Sequence, residues 1–280
     1  MGRLRLCAFA DEASENVLEQ IKALNENGID LIEVRGVDGK NVSSLTLDEA
    51  RQAKKTYSDG GIGIWSIGSP IGKVDIKDDF AKELDKFKHT LDIAHVMEAE
   101  CIRMFSFYGT GGDIAYRDEV MERLGKYAEA ARGSGVTLCH ENERGIYGDT
   151  AERCLDIAVS VPEIKVVFDP ANYMLCNVDV PKAWSMLREY VYYNHIKDAT
   201  VDHKIVPAGY GDSHMGEYLK DFADNGGGVL TLEPHLMEFV GLDALANNED
   251  VKNMGKFNFS SNREAFDFAV SSLRALIKDF

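Results

Sequence analysis

Short apolar runs recur along the whole chain. They occupy residues 4–9, 30–34, 62–67, 101–105, 136–140, 164–168, 191–196 and 229–232, and are rich in β-branched or aromatic side chains. Longer amphipathic stretches, such as 15–27 and 118–132, lie between them. Several of these stop at glycine just before the next run, as in Asn27-Gly28, Asp59-Gly60-Gly61, Ser134-Gly135 and Asn225-Gly226-Gly227-Gly228. A helix that ends at glycine and hands over to a buried strand is the unit of a βα repeat. In the last helical stretch Phe266, Ala269, Val270, Leu273, Leu276, Ile277 and Phe280 share one stripe of helical period, which predicts a packing helix. Eight units in 280 residues predict an α/β fold, a single (β/α)8 TIM barrel spanning residues 1–280. An open dinucleotide-binding sheet would carry glycines after its first strand, whereas here that strand runs into Ala10-Asp11-Glu12-Ala13. Residues 235–262 exceed an ordinary βα loop, which predicts an extended loop over the barrel mouth after the eighth strand.

Charge narrows the partners. Lys and Arg number 31 against 47 Asp and Glu, a formal net charge of −16, which argues against nucleic acid or an anionic membrane as the main partner. The five cysteines (Cys7, Cys101, Cys139, Cys154, Cys176) are odd in number and form no CxxC pair, so they read as reduced, buried thiols. No secretory h-region opens the chain, and no uncharged apolar stretch approaches the length of a membrane span. A soluble, cytoplasmic protein is the expectation, with homo-oligomerisation left open.

Chemistry in a barrel sits where strands end and βα loops begin. The last four runs end in His140-Glu141-Asn142, Asp169-Pro170-Ala171-Asn172, His195-Ile196-Lys197-Asp198 and Glu233-Pro234-His235. Glu141, Asp169, His195 and Glu233 are spaced 28, 26 and 38 residues apart, about one βα unit each, which predicts an arc on one rim. Alternation aims Thr137, Cys139 and Glu141 to one side, and Thr231 with Glu233. Three carboxylates in a dry mouth repel one another unless a cation lies between them. Three oxygen ligands and one imidazole suit Mn²⁺ best, with Mg²⁺, Co²⁺ or Zn²⁺ as alternatives. Around this arc, Lys197, His235, Asn172, Trp65 and Arg103 are candidate substrate contacts. Arg103, inside a strand, is also expected to pair with a barrel carboxylate, while Trp65 and Phe105 serve as pocket wall or plain core. Alternation turns His140 to the face opposite Glu141. Gly109-Thr110-Gly111-Gly112 lacks the Gly-Lys-Ser/Thr ending of a P-loop and reads as a lid or turn.

These strand-end phrases, together with Pro207-Ala208-Gly209-Tyr210-Gly211-Asp212, resemble the sugar phosphate isomerase/epimerase superfamily, the xylose-isomerase-like TIM barrels. The resemblance spans nearly the whole chain. It implies that Glu141, Asp169, His195 and Glu233 bind one divalent metal, and that Glu141 and Glu233 double as catalytic acid/base groups. It also implies an isomerase or epimerase that moves a proton α to the carbonyl of a small sugar or polyol ketone, through a metal-stabilised enediolate. An inosose-type dehydratase, a C-glycoside-cleaving lyase subunit and a non-catalytic sugar-binding subunit are the alternatives on the same site. Two positions depart from the ketose epimerases: Asn172 stands where some carry His, and His203 and Lys204 lie where an Arg follows the metal His. The endonuclease branch needs further His ligands, which a chain with seven His and a charge of −16 does not readily offer.

Overall fold

The computed structural model describes residues 4–239 and 257–280. Each apolar run becomes a strand: β1 (Leu4–Ala8), β2 (Leu31–Val34), β3 (Gly63–Gly68), β4 (Cys101–Met104), β5 (Thr137–Glu141), β6 (Ile164–Phe168), β7 (Val191–Ile196) and β8 (Gly228–Leu232). All neighbours pair in parallel, and β1 closes the ring by pairing with both β2 and β8. The intervening helices are α1 (Val17–Glu26), α2 (Leu47–Asp59), α3 (Phe80–Met97), α4 (Arg117–Ala131), α5 (Ala151–Ser160), α6 (Pro170–Leu175), α7 (Val180–Leu187), α8 (Met215–Asp224) and α9 (Asn262–Ile277). The expected (β/α)8 barrel is the observed one. Short polar side chains start the helices by accepting otherwise orphaned N–H groups: Asn16 for α1, Asp79 for α3, Asp179 for α7 and Ser261 for α9. At α2, Thr46 and Glu49 form a full capping box.

Period-two alternation divides the core. Outward strand residues such as Ile32, Ile102, Leu138, Phe168 and Leu230 join apolar helix residues including Leu24, Phe87, Leu124, Ile157, Leu219 and Phe266. Inside the ring, Cys7, Leu31, Trp65, Cys101, Cys139, Val167, Tyr193 and Val229 form a separate cluster, one residue from each strand. This apolar floor plugs the barrel. Each large side chain fully buried this way stabilises the fold by about 1.5–3 kcal/mol. All five cysteines are free, and three of them lie in the floor.

Two small hairpins interrupt the βα pattern: Gly36–Val37 with Lys40–Asn41, and Asp198–Ala199 with Ile205–Val206. The second is tied to the glycine-rich turn after it, where the N–H groups of Gly209 and Gly211 donate to Asp198 Oδ2 at 2.9 and 3.1 Å. A Cβ at Gly211 would lie 2.3 Å from Asp198 Oδ1, so that turn admits only glycine without rearrangement. The expected post-β8 loop is described only up to Phe239 and from Phe257, so its middle lies outside the described residues. Among the described residues no helix is long and apolar enough to cross a membrane.

Candidate metal centre

Two residues above the floor, on the same inward face, the barrel changes character. Leu31 is followed by Glu33, Cys101 by Arg103, Cys139 by Glu141, Val167 by Asp169 and Tyr193 by His195, all of them buried. Two further residues up β2 and β7 stand Arg35 and Lys197, and β8 leads to Glu233. The alternation that builds the floor therefore aims these charged groups into one water-poor space.

Ligand atoms of Glu141, Asp169, His195 and Glu233 lie within 4.8 Å of one another, and all four residues are buried. His195 Nδ1 is 3.1 Å from Glu141 Oε1 and 3.3 Å from Glu233 Oε2. Cis ligands bound at about 2.1 Å to one centre stand roughly 3 Å apart, so these spacings fit a single divalent cation. Asp169 has two duties. Its Oδ1 caps α6 by accepting from the Asn172 N–H at 2.9 Å, with Pro170 at the first helical position, and its Oδ2 lies 2.9 Å from Lys197 Nζ. Asn142 locks the ends of β5 and β6 together, donating to the Asp169 carbonyl at 2.8 Å and accepting from its N–H at 3.0 Å.

Each glutamate is gripped on one oxygen by a buried guanidinium. Arg103 Nη1 donates to Glu141 Oε2 at 2.8 Å, and Arg35 Nη1 to Glu233 Oε1 at 3.0 Å. The other oxygen of each then faces His195. Arg35 also pairs bidentately with Asp11, at 2.8 and 2.9 Å, and reaches Glu12 Oε1 at 3.2 Å. Its guanidinium is sandwiched between the rings of Phe9 and Phe239, 4.3 and 4.5 Å from their centroids. Lys197 Nζ bridges Asp169 and Glu233, the latter at 3.2 Å.

Burial alone would push every carboxyl here upward, and the partners decide which ones resist. Glu141 falls to about 2 because His195 and Arg103 outweigh its desolvation. Glu233 is likewise held well below the usual carboxylate value, chiefly by Lys197 and His235. Asp169 rises to about 7, its desolvation only partly offset by Lys197, and Glu12 rises to about 8 against the pull of Arg35. In this network Asp11, Glu12, Glu33, Glu141, Asp169 and Glu233 face three permanent cations, Arg35, Arg103 and Lys197. That acidic excess, with three carboxylate oxygens and one imidazole nitrogen converging, is a donor set able to hold a divalent cation. Glu12, Glu233 and His235 also converge, but the Arg35 guanidinium already contacts both of those glutamates.

The candidate substrate contacts divide. Lys197 joins the ligand cluster, and His235 borders it, with Nε2 3.4 Å from Glu233 Oε1 and its backbone N–H donating to Glu12 Oε2 at 2.7 Å. Asn172 is turned inward, with Nδ2 donating to Glu141 Oε1 at 3.3 Å and to the Asn142 carbonyl at 2.9 Å. Arg103 pairs with a barrel carboxylate as the strand-interior reading expected, and at 2% exposure it sits behind Glu141 rather than in the open mouth. Trp65 takes the core alternative rather than the pocket wall: it lies in the floor, stacked on Tyr192 and edge-on to Tyr193, because it is only the third residue of a six-residue strand. His140 faces outward, 2.9 Å from Ser106 Oγ, and burial lowers it to about 4. Gly109–Gly112 forms a turn, closed by the Asp113 N–H on the Thr110 carbonyl at 2.8 Å. Strand-end reading missed Asp11, Glu12, Glu33 and Arg35. The available signal was parity with Cys7 and Leu31, which points Phe9, Glu33 and Arg35 inward; Asp11 and Glu12 lie in a short 3-10 turn after β1, where strand alternation gives no signal.

Known proteins place this architecture. No curated protein matches the sequence. Among solved structures, the probable 3-DHS dehydratase AsbF from Bacillus anthracis superposes with a TM-score of 0.73 at 16% identity, covering 96% of this chain and 98% of its own. D-psicose 3-epimerase from Clostridium cellulolyticum H10, solved with D-tagatose, gives 0.70 at 16% identity, covering 98% and 99%. The IOLI protein, solved with a zinc atom, gives 0.69 at 14% identity, covering 99% of each chain. At such identities the likeness is one of fold. The sequence profile of the xylose isomerase-like TIM barrels matches residues 21–253, most of the chain, and with the closed ring and its rim described above it identifies the protein as a member of that family.

Proposed function

We propose that the protein is a divalent-metal-dependent isomerase or epimerase of a small sugar or polyol ketone. The observation that carries this reading is the pair Glu141 and Glu233, each clamped by a buried arginine on one oxygen and presenting the other beside His195. Glu141, Asp169, His195 and Glu233 hold the cation, Mn²⁺ being the best match to three oxygens and one nitrogen. When bound, it polarises the substrate carbonyl and offsets the negative charge that builds on oxygen as the neighbouring C–H bond breaks. One of the two glutamates removes that proton and the other returns one to the carbon of the enediolate. Return at the same carbon from the opposite face inverts it; return at the adjacent carbon exchanges ketone and aldehyde. Lys197, at 2.9 and 3.2 Å from two ligand oxygens, is placed to donate to a substrate oxygen. His235 lines the same rim, and Asn172 orients Glu141. The epimerase among the structural neighbours supports this class. The dehydratase supports a second reading, in which the same proton removal is followed by loss of a β-hydroxyl as water.

Incubation with Mn²⁺ in D₂O across a panel of ketoses and inososes tests the proposal. Deuterium is expected at the carbon beside the carbonyl, and the product, whether stereoisomer, constitutional isomer or dehydrated ketone, separates the readings. If no member of the panel exchanges, proton-transfer catalysis is abandoned and a sugar-binding role takes its place.

A further inference from the structure

We propose that Glu33 is the positioning residue of His195, holding its imidazole in the tautomer that keeps the proton on Nε2 and leaves the Nδ1 lone pair facing Glu141, Asp169 and Glu233. The inference rests on the reading that those four residues hold a divalent cation. Glu33 and His195 are both fully buried, and Glu33 Oε2 lies 3.2 Å from His195 Nε2. On the other edge of the ring, Nδ1 is 3.1 Å from Glu141 Oε1 and 3.3 Å from Glu233 Oε2. The ring is pinned edge-on against Phe9 and Tyr193, with centroids 5.2 and 5.5 Å away.

A carboxylate only accepts hydrogen bonds, so the nitrogen that meets Glu33 must carry a proton. A ligating nitrogen must offer its lone pair, and a neutral imidazole has one nitrogen of each kind. With Glu33 on the Nε2 side and the ligand oxygens on the Nδ1 side, the two demands select the same tautomer. Glu33 is itself held: its Oε1 accepts from the Tyr193 hydroxyl at 3.0 Å, and that hydroxyl lies 3.4 Å from Ser66 Oγ. Directly below it on β2 stands Leu31 of the apolar floor. A carboxylate behind a ligating histidine both orients the ring and strengthens it as a ligand, and losing such a partner typically costs 10–100-fold in metal affinity.

The test uses the full chain as wild type, Glu33→Gln and Tyr193→Phe. Mn²⁺ affinity is measured by titration, and the His195 ring nitrogens are read by ¹⁵N NMR in the Zn²⁺-loaded protein. The expected results are a proton on Nε2 in the wild type, a Mn²⁺ affinity about 10–100-fold weaker in Glu33→Gln with displaced ¹⁵N shifts, and a smaller loss in Tyr193→Phe, which keeps the charge but loosens it. Binding by Glu33→Gln within about twofold of wild type would overturn the proposal, since the range for such a partner begins at tenfold. A proton on Nδ1 of the loaded wild type would do the same, and that reading needs no variant to fold. Failure of the wild type to take up either ion would overturn the metal-site reading and this inference with it, an outcome told apart because it precedes any substitution.

Discussion

The rim of this barrel has two unequal arcs. From β5 to β8 it presents Glu141, Asp169, His195 and Glu233, groups that converge on one point. The arc of β1, β2 and β4 presents Glu33, Arg35 and Arg103, which face the first set rather than the point itself, and Asp11, which holds Arg35. One arc supplies the donor atoms, with Lys197 and His235 among them setting the charge of Asp169 and Glu233; the other grips Glu141, Glu233 and His195 from behind. Arg103 and Arg35 each take one oxygen of a glutamate, which turns the other oxygen of each toward His195. The lesson is that a ligand set in a low-dielectric mouth is defined as much by what stands behind it as by its own members.

This division of labour can be broken from either side. The largest effect is expected in the first arc: Glu233→Gln should lower the deuterium-exchange rate by roughly 10²–10⁴-fold, the usual share of a general acid or base, while Mn²⁺ content falls far less. Turnover at the wild-type rate would remove Glu233 from the proton-transfer step. On the opposing arc, Arg103→Met strands the buried Glu141 carboxylate, and denaturant unfolding of the metal-free protein should show a loss of about 3–5 kcal/mol. Saturating Mn²⁺ should shrink that loss, because a bound cation replaces the missing positive charge. An equal loss with and without Mn²⁺ would show that the two arcs do not share charge in this way. The smallest change belongs to Lys197→Met. It removes a positive charge from beside Asp169 Oδ2 and Glu233 Oε2, so Mn²⁺ should bind at least several-fold tighter, since a charge pair is worth about 1 kcal/mol even in water, while turnover falls. Weaker binding would mean that Lys197 supports the ligands instead of competing for them.

The same asymmetry explains how far the chain could be read unaided. The β5–β8 arc was legible because Glu141, Asp169 and Glu233 directly follow apolar runs, His195 is next to last in its own, and Asp169 and Glu233 are each followed by proline, which marks the end of the strand. The barrel itself was legible from the recurrence of those runs. Glu33 was not, because the run it interrupts ends in Val34-Arg35-Gly36, with no such ligand phrase to draw attention to it. Its meaning appears only when its parity with Leu31 is matched to the inward parity of seven other strands. Asp11 and Glu12 registered merely as the absence of a glycine fingerprint. Trp65 was open to two readings: its residue type suits a sugar pocket, but its height along β3 puts it in the floor. Residue type was readable from the chain; depth along a strand was not, because register and bulges, such as that between Ile32 and Glu33, set it in three dimensions.

The sandwich around Arg35 has one more consequence. Phe9 follows the first strand and Phe239 comes after the last, and the guanidinium between them also reaches Glu233. A ribosome-bound chain that has released only its first seven strands therefore lacks both the second ring and the glutamate. Until synthesis has passed that aromatic residue the cluster around Arg35 stays incomplete, so its assembly is coupled to the final act of ring closure.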